Sequence, residues 1–216
     1  MKLASIEMGR VTWIVDVRMP SGSLYFPEAL PKIIERYGFV KYPQPVDIVN
    51  SPTEAVFEHG QFEKSVIQRF SVHNDGFIVE SLAGTDKAEA FLDDFAEWIE
   101  DEFDAIFPPT SESYRIFDSH LVVEMNIDIG KRMEFFAFIS DIINAYISQY
   151  NAGTPNYEPT GIYISADRTI NKSFNTEAFR LERRIGKPFK KNIYFSSGPL
   201  RTRDLLRLLQ QIEDSL

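Results

Sequence analysis

The sequence predicts an α+β fold in which a largely antiparallel sheet packs against three long helices and one short one. Strands come in runs, an Asp-Gly turn joins two of them, and amphipathic helices follow the runs. The segments 74–100 and 191–213 both contain, in this order, an Asn, a strand, a Ser, a short loop, a Thr and a helix. A duplicated strand–strand–helix unit explains this likeness, and so does chance similarity between two such units.

In the first half, residues 11–17 (VTWIVDV) are β-branched and apolar, which predicts a strand. Residues 27–37 predict the short helix, with prolines in the first turn and a glycine just after the end. Two strands, 66–72 and 77–81, flank the Asp-Gly turn and predict a hairpin. Thr85 is expected to cap a long helix that carries apolar residues at helical spacing as far as Ile106 and is stopped by Pro108 and Pro109.

In the second half, alternating apolar residues predict a strand over 114–129. Residues 131–150 predict a second long helix, which is apolar over most of its circumference and is therefore expected in the middle of the fold. Three more strands (GIYIS, FRLERRI and NIYFS) and a helix from residue 202 onward complete the chain. We expect a single domain over 1–216, with a possible sub-boundary in the loop 151–159.

Composition excludes several classes of protein. The chain of 216 residues contains no cysteine, so disulfides, thiolate metal sites and cysteine nucleophiles are absent. The N-terminus lacks the apolar run of a secretory signal, and the most apolar stretch, 135–147, is too short and too polar to span a bilayer. We therefore expect a cytoplasmic protein without membrane contact.

Motifs for catalysis are weak. His59, His73 and His120 form no metal-ligand pattern, and no phosphate-binding loop or nucleophile elbow occurs. The acids Glu124 and Asp128, with Lys131, are the candidates for a metal-dependent nuclease or hydrolase, although a solvated strand edge that runs into a helix cap explains them equally well. No cofactor is expected.

The stretch SSGPLRTR, 196–203, is a candidate anion site. A strand exits there into a helix N-terminus, where backbone N–H groups, the helix dipole and two guanidinium groups favour an anion. The alternative is a capped turn whose arginines are only solvated. The candidate anion-binding residues are Ser197, Gly198, Arg201, Thr202 and Arg203.

Charge is divided unevenly along a chain whose net charge is −9. Residues 86–104 hold nine acids and one base, a local net of −8, whereas 168–207 hold eleven bases and three acids, a local net of +8. These regions can pair within the chain, join copies head to tail, or meet different partners, and an acidic face can also serve solubility alone.

From this layout we predict a non-catalytic interaction module or accessory subunit of a cytoplasmic complex, which binds a protein partner or forms a homo-oligomer. The candidate partner-binding residues are Asp93, Asp94, Glu97, Glu100, Asp101, Arg180, Arg184, Lys187, Lys190 and Lys191. The alternative is a binder of a phosphorylated ligand or nucleic acid, because the basic segment interleaves its charges with Phe179, Phe189 and Tyr194, which suits base stacking.

Overall fold

A computed structural model describes residues 1–20, 26–44, 54–149, 157–167, 169 and 176–216, with the backbone alone at 26, 27 and 134. The strands are β1 (Lys2–Ile14), β2 (Glu54–Phe62), β3 (Ser65–His73), β4 (Gly76–Ser81), β5 (Tyr114–Glu124), β6 (Gly161–Ile164), β7 (Phe179–Arg183) and β8 (Ile193–Gly198). The helices are α1 (Phe26–Tyr37), α2 (Thr85–Phe103), the single turn α3 (Ile129–Arg132), α4 (Glu134–Gln149) and α5 (Thr202–Ser215).

The strands form an eight-stranded antiparallel sheet in the order β2-β3-β4-β1-β5-β8-β7-β6, which confirms the predicted α+β fold class. Within the described residues, the order strand, helix, three strands, helix occurs twice, with α3 and α4 at the place that α1 has in the first half. In each half the first strand lies next to the fourth. The repeated order is thus longer than the strand–strand–helix unit that the sequence suggested.

The predicted hairpin is confirmed, because β3 pairs with β4 antiparallel and His73 faces Gly76 across the turn. Gly76 has a φ of 150°, and a Cβ there would lie 2.0 Å from the Trp13 carbonyl oxygen, so this position requires glycine. Helix α2 ends at Phe103, before the expected prolines, and Asp104 closes it in the left-handed conformation with a φ of 52°.

The chain divides into two compact units. The N-terminal unit comprises Ile6–His120 and Pro199–Thr202, and the C-terminal unit comprises Met1–Ser5, Leu121–Gly198 and Arg203–Leu216. Cooperative folding of 1–216 as one domain stays a prediction. Most of the candidate boundary loop, at 151–156, lies outside the described residues.

An aromatic cluster forms the core of the N-terminal unit. Phe70 of β3 is fully buried, and its ring lies 5.1 Å from Phe91 and 4.7 Å from Phe95 of α2 in edge-to-face contacts. The same ring stacks 5.8 Å from Phe57. Tyr37 of α1 joins the cluster, with its ring 4.7 Å from that of Phe91. Both helices therefore attach to the sheet through aromatic side chains.

The core of the C-terminal unit is smaller. Leu181 of β7 and Tyr194 of β8 are buried together with Leu205 and Leu209 of α5. The Tyr194 hydroxyl accepts a hydrogen bond of 3.0 Å from the backbone N–H of Ile129, so the start of α3 is tied to the sheet. Burial raises the pKa of the Tyr194 phenol above its ordinary value.

Helix α4 does not lie in the middle of the fold, and that prediction is wrong. The sequence pattern merged α3 and α4 into one helix, whereas Asp128 caps α3 and Met133 separates the two. Of the α4 residues whose side chains are described, none is buried, and Phe135 and Phe138 are 69% and 62% exposed. Apolar content predicted the helix correctly, but the helix meets its own unit through a half-buried side that includes Ala137, Ser140 and Asn144.

Replacing Phe70 by alanine should lower the free energy of unfolding by about 3–5 kcal/mol, because the change leaves a cavity among several rings. Phe70→Leu serves as the control, since it keeps most of the apolar volume, and its loss should be less than half as large. Urea unfolding followed by near-UV circular dichroism measures both. A loss below about 1 kcal/mol for Phe70→Ala would contradict this packing of the core.

Candidate functional site

The acidic helix α2 presents its carboxylates outward because its opposite face supplies the core with Phe91, Leu92, Phe95 and Ile99. Several of these acids have partners in their own unit. Arg36 of α1 donates to Asp94 at 2.9 Å, and Lys32 of the same helix donates to Glu102 at 2.5 Å. The acidic region is therefore partly neutralised where α1 runs beside α2.

A second set of partners lies near the start of α2. Arg115 of β5 contacts Asp93 at 2.6 Å and Glu89 at 3.3 Å, and its guanidinium lies 4.4 Å from the ring centroid of Trp13. Arg201, a member of the basic region, also reaches Glu89 at 2.9 Å. The acidic and basic regions thus meet inside the N-terminal unit through this one pair among the described residues.

Three candidate partner-binding acids have no side-chain partner among the described residues. Glu97, Glu100 and Asp101 are exposed, and within the described ranges none of them makes an ion pair or a side-chain hydrogen bond. Asp93 and Asp94, the other two candidates, already have arginine partners. The last two turns of α2 therefore carry most of the unneutralised charge of the helix.

The basic candidates belong to the C-terminal unit. Lys187, Lys190 and Lys191 are exposed around the short 3₁₀ turn Phe189–Lys191. Arg180 lies over the ring of Tyr163 at 5.3 Å, and Arg184 lies over the ring of Phe195 at 5.7 Å. The lysines are exposed to solvent, whereas the two arginines lie against aromatic rings.

Two aromatic residues of this basic segment are already packed within the protein. Tyr194 is buried, and Phe189 lies beneath Arg183, with the guanidinium carbon 4.4 Å from the ring centroid. Arg183 is itself buried, donates to the Phe189 carbonyl at 2.7 Å and forms an ion pair with Asp128. Of the three rings expected to stack on bases, Tyr194 is thus unavailable for that role in the described structure.

The candidate anion-binding residues are divided between the two units. Arg201 and Thr202 belong to the N-terminal unit, whereas Ser197, Gly198 and Arg203 belong to the C-terminal unit. Arg201 is held by Glu89 and lies 4.4 Å from the centroid of Phe117. The backbone N–H of Thr202 already donates to Thr85 Oγ1 at 2.9 Å. A central donor of the anion site is therefore satisfied within the protein, and anion binding stays a prediction.

Thr85 and Thr202 cap each other's helices, an arrangement that the sequence did not reveal. The Thr85 N–H donates to Thr202 Oγ1 at 3.0 Å, and the Thr202 N–H donates to Thr85 Oγ1. Thr85 was expected to cap its own helix, but the N-cap of α2 is Gly84, which makes no side-chain bond. Ser119 Oγ lies 3.0 Å from Thr202 Oγ1 and donates to the Leu200 carbonyl. The hydroxyls thus satisfy buried helix donors.

A ladder of alternating charges crosses the strands of the N-terminal unit. Glu58 faces Arg69, Arg69 faces Glu80, and Glu80 faces Arg10 in the strand registers. Arg10 contacts Glu80 at 2.8 Å and approaches Asp118 of β5 at 4.0 Å. Opposite charges at paired positions stabilise a sheet and fix its register. A structural role in pairing the strands therefore accounts for these charges.

The histidines lie apart from one another in this unit. His59 sits in β2 with a φ of 57°, His73 ends β3 at 3.8 Å from Glu54, and His120 lies 3.3 Å from Asp118. No group of three His, Asp or Glu residues suited to a metal ion occurs in the part of the chain that the structure describes.

The nuclease candidates do not form a free catalytic cluster. Asp128 is engaged by Arg183 and by the N–H of Lys131, whose own side chain is largely exposed. Glu124 is exposed at the end of β5. A structural role as helix cap accounts for Asp128.

Tyr37 has the most strongly perturbed proton affinity at the edge of the acidic helix. Burial raises its pKa far above the ordinary value, and the hydrogen bond of 2.7 Å that it donates to Asp94 acts in the same direction. Arg36, which donates to the phenol oxygen at 3.1 Å, opposes this shift. The neutral phenol is thus part of the contact between α1 and α2.

No protein-family model, curated protein or solved structure matches this chain. No helix in the described ranges is both long enough and apolar enough to cross a membrane. Function is therefore inferred from the geometry of the described residues.

Removing either capping hydroxyl should destabilise the protein. We expect Thr85→Val and Thr202→Val each to lower the free energy of unfolding by about 1–2 kcal/mol, since each leaves a buried N–H without its acceptor. The double variant should lose less than the sum, because both hydroxyls belong to one network. Thr85→Ser and Thr202→Ser keep the hydroxyl and serve as controls in the same urea titrations. Losses below about 0.5 kcal/mol for both valine variants would contradict the reciprocal cap.

Stability should fall at alkaline pH through Tyr37. The folded state holds the phenolic proton more tightly than the unfolded chain, so the contribution of Tyr37 to the free energy of unfolding is constant below about pH 10 and decreases as the pH rises further. Tyr37→Phe should flatten this decrease in urea unfolding experiments between about pH 9 and about pH 11. Tyr114→Phe, which changes an exposed tyrosine, is the control. Equal slopes for the wild type and Tyr37→Phe would refute the assignment.

Proposed function

We propose that the protein is a non-catalytic interaction module, an accessory subunit of a cytoplasmic complex, which binds a protein partner through its charged surfaces. This proposal rests on the end of α2, where three acids have no partner among the described residues. Glu97, Glu100 and Asp101 are exposed without partners among the described residues, although other acids of the same helix are paired. A partner with a basic surface would supply the missing counter-charges.

The dipole of α2 favours the same interpretation. Acids in the last turns of a helix lie at the negative end of its dipole and raise the free energy of the isolated chain by a few tenths of a kcal/mol each. A bound cationic surface removes this disadvantage and gains attraction from several carboxylates at once. The exposed Lys187, Lys190 and Lys191 offer a surface of opposite sign in the C-terminal unit.

The alternative of a phosphorylated ligand or nucleic acid has less support. Thr202 N–H and Arg201 have partners within the protein, and Tyr194 is buried. The three exposed lysines are the part of the basic region that still suits contact with phosphate groups.

Reversing the charge of Glu97, Glu100 and Asp101 should weaken partner binding. The immobilised protein is used to capture partners from a cell extract at low salt, and each captured protein is purified for titration calorimetry. We expect the triple variant with Glu97, Glu100 and Asp101 each changed to Lys to bind at least about tenfold more weakly, since several attractive charges become repulsive. Wild-type affinity should also fall between about 50 mM and about 500 mM NaCl.

A matched variant changes the same charge elsewhere. Glu112, Glu177 and Asp214 are exposed acids outside the acidic helix, and changing all three to Lys should leave the affinity within about twofold. Equal losses in both triple variants, or binding that is insensitive to salt, would refute the proposed role of α2. The absence of any captured protein would refute the interaction module itself.

A further inference from the structure

Helix α4 is amphipathic in an unusual sense, because its apolar side is the side that faces away from its own unit. Seven large apolar side chains are between 37% and 69% exposed. We call them the α4 stripe: Phe135, Phe136, Phe138, Ile139, Ile142, Ile143 and Tyr146. At 100° per residue they fall within an arc of about 160°, whereas Ala137, Ser140 and Asn144 lie outside this arc.

The first half of the fold provides the comparison. Helix α1 has the corresponding place in the repeated order of elements, and it buries Ala29, Leu30 and Ile33 within its own unit. Helix α4 is longer, with 16 residues against 12, but buries none of its described side chains. Among the described residues, α4 therefore lacks the buried apolar contact with its own unit that α1 makes.

The exposed area has the size of half an interface. At about 200 Å² for a large side chain, the exposed fractions of the α4 stripe amount to about 700 Å². The largest apolar patch on a typical monomer is about 300–600 Å², and each partner in a standard protein interface contributes about 800 Å². Leaving such an area in water costs free energy that a matching apolar surface would recover.

We propose that a second copy of this chain covers the α4 stripe, so that two α4 helices pack against each other across a twofold axis. A twofold dimer needs one self-complementary patch, and the stripe contains no charged side chain that pairing would bury. Asp141 lies outside the arc. The area exposed by each copy is close to what one partner contributes to a stable dimer.

A lipid surface is the less suitable occupant. Helices that lie in a membrane interface carry Lys and Arg on their polar side, and residues 134–149 contain neither. The protein also has a net charge of −9, which opposes approach to an anionic bilayer. Protein–protein packing therefore agrees better with the charges of this helix.

Dimerisation by the α4 stripe should respond to salt in the opposite way from partner binding through α2. Two copies with a net charge of −9 repel each other, so screening should maintain or strengthen an apolar contact between them. Binding through α2 should instead weaken. The two proposals are independent, and failure of one leaves the other testable.

Sedimentation equilibrium tests the inference. The wild type should have twice the monomer mass at both about 50 mM and about 500 mM NaCl. Ile139→Glu, a charge near the centre of the stripe, should raise the dimer dissociation constant about 30-fold or more, as loss of a hot-spot residue does. Ser148→Glu adds the same charge at an exposed position outside the stripe and should leave the dimer intact. Near-UV circular dichroism verifies that each variant is folded.

A second measurement uses the absence of cysteine from the chain. Single-cysteine variants at Ile139, Ile142 and Tyr146 place a thiol along the stripe, and at least one should form a disulfide-linked dimer on mild oxidation, because helices packed at a twofold axis bring like residues together. Ser148→Cys is the control and should stay monomeric in denaturing gels.

Three results would overturn the inference. The first is a wild type that is monomeric at all concentrations, and the second is a dimer that Ile139→Glu does not weaken. The third is a monomer that floats with neutral lipid vesicles and loses this property on Ile139→Glu, which would assign the stripe to a membrane surface.

Discussion

The packing of the α2 aromatic face onto the sheet is the constraint on which the rest of the N-terminal unit depends. Phe91 and Phe95 contact Phe70 edge to face, and this contact fixes the rotation of the helix about its axis. The carboxylates of α2 must then point toward α1, toward the arginines at the start of the helix, or into solvent. The charged surface is thus a geometric consequence of the core, and no acid had to be selected for its direction.

That geometry divides the acids of α2 into two groups. Glu89, Asp93 and Asp94 meet arginines from α1, β5 and the loop before α5, whereas in the last two turns only Glu102 meets a described base. The opposition of −8 and +8 along the sequence therefore overstates the opposition on the surface. What is left for a partner is a smaller acidic area, and it lies at the end of the helix where the dipole makes negative charge least favourable.

Local signals in the sequence predicted local features well. The Asp-Gly pair predicted the β3–β4 hairpin, and apolar spacing predicted α2 and the inward rings. Features that join distant residues were not accessible in this way. The exchange of caps between Thr85 and Thr202 joins positions 117 residues apart, and an apolar circumference such as that of 131–150 favours burial without showing that the rest of the fold covers the helix. The exposure of α4 was missed for that second reason.

The strand order has a consequence for the way the chain folds. Strands β2, β3 and β4 pair in sequence order through short connections, so this meander can form from local contacts. Strand β1 pairs with β4, although α1, β2 and β3 lie between these two strands in the chain. Closing this long loop costs chain entropy before the contacts of the pairing are gained. We infer that β1 joins the meander late and that its closure limits the folding rate of the N-terminal unit.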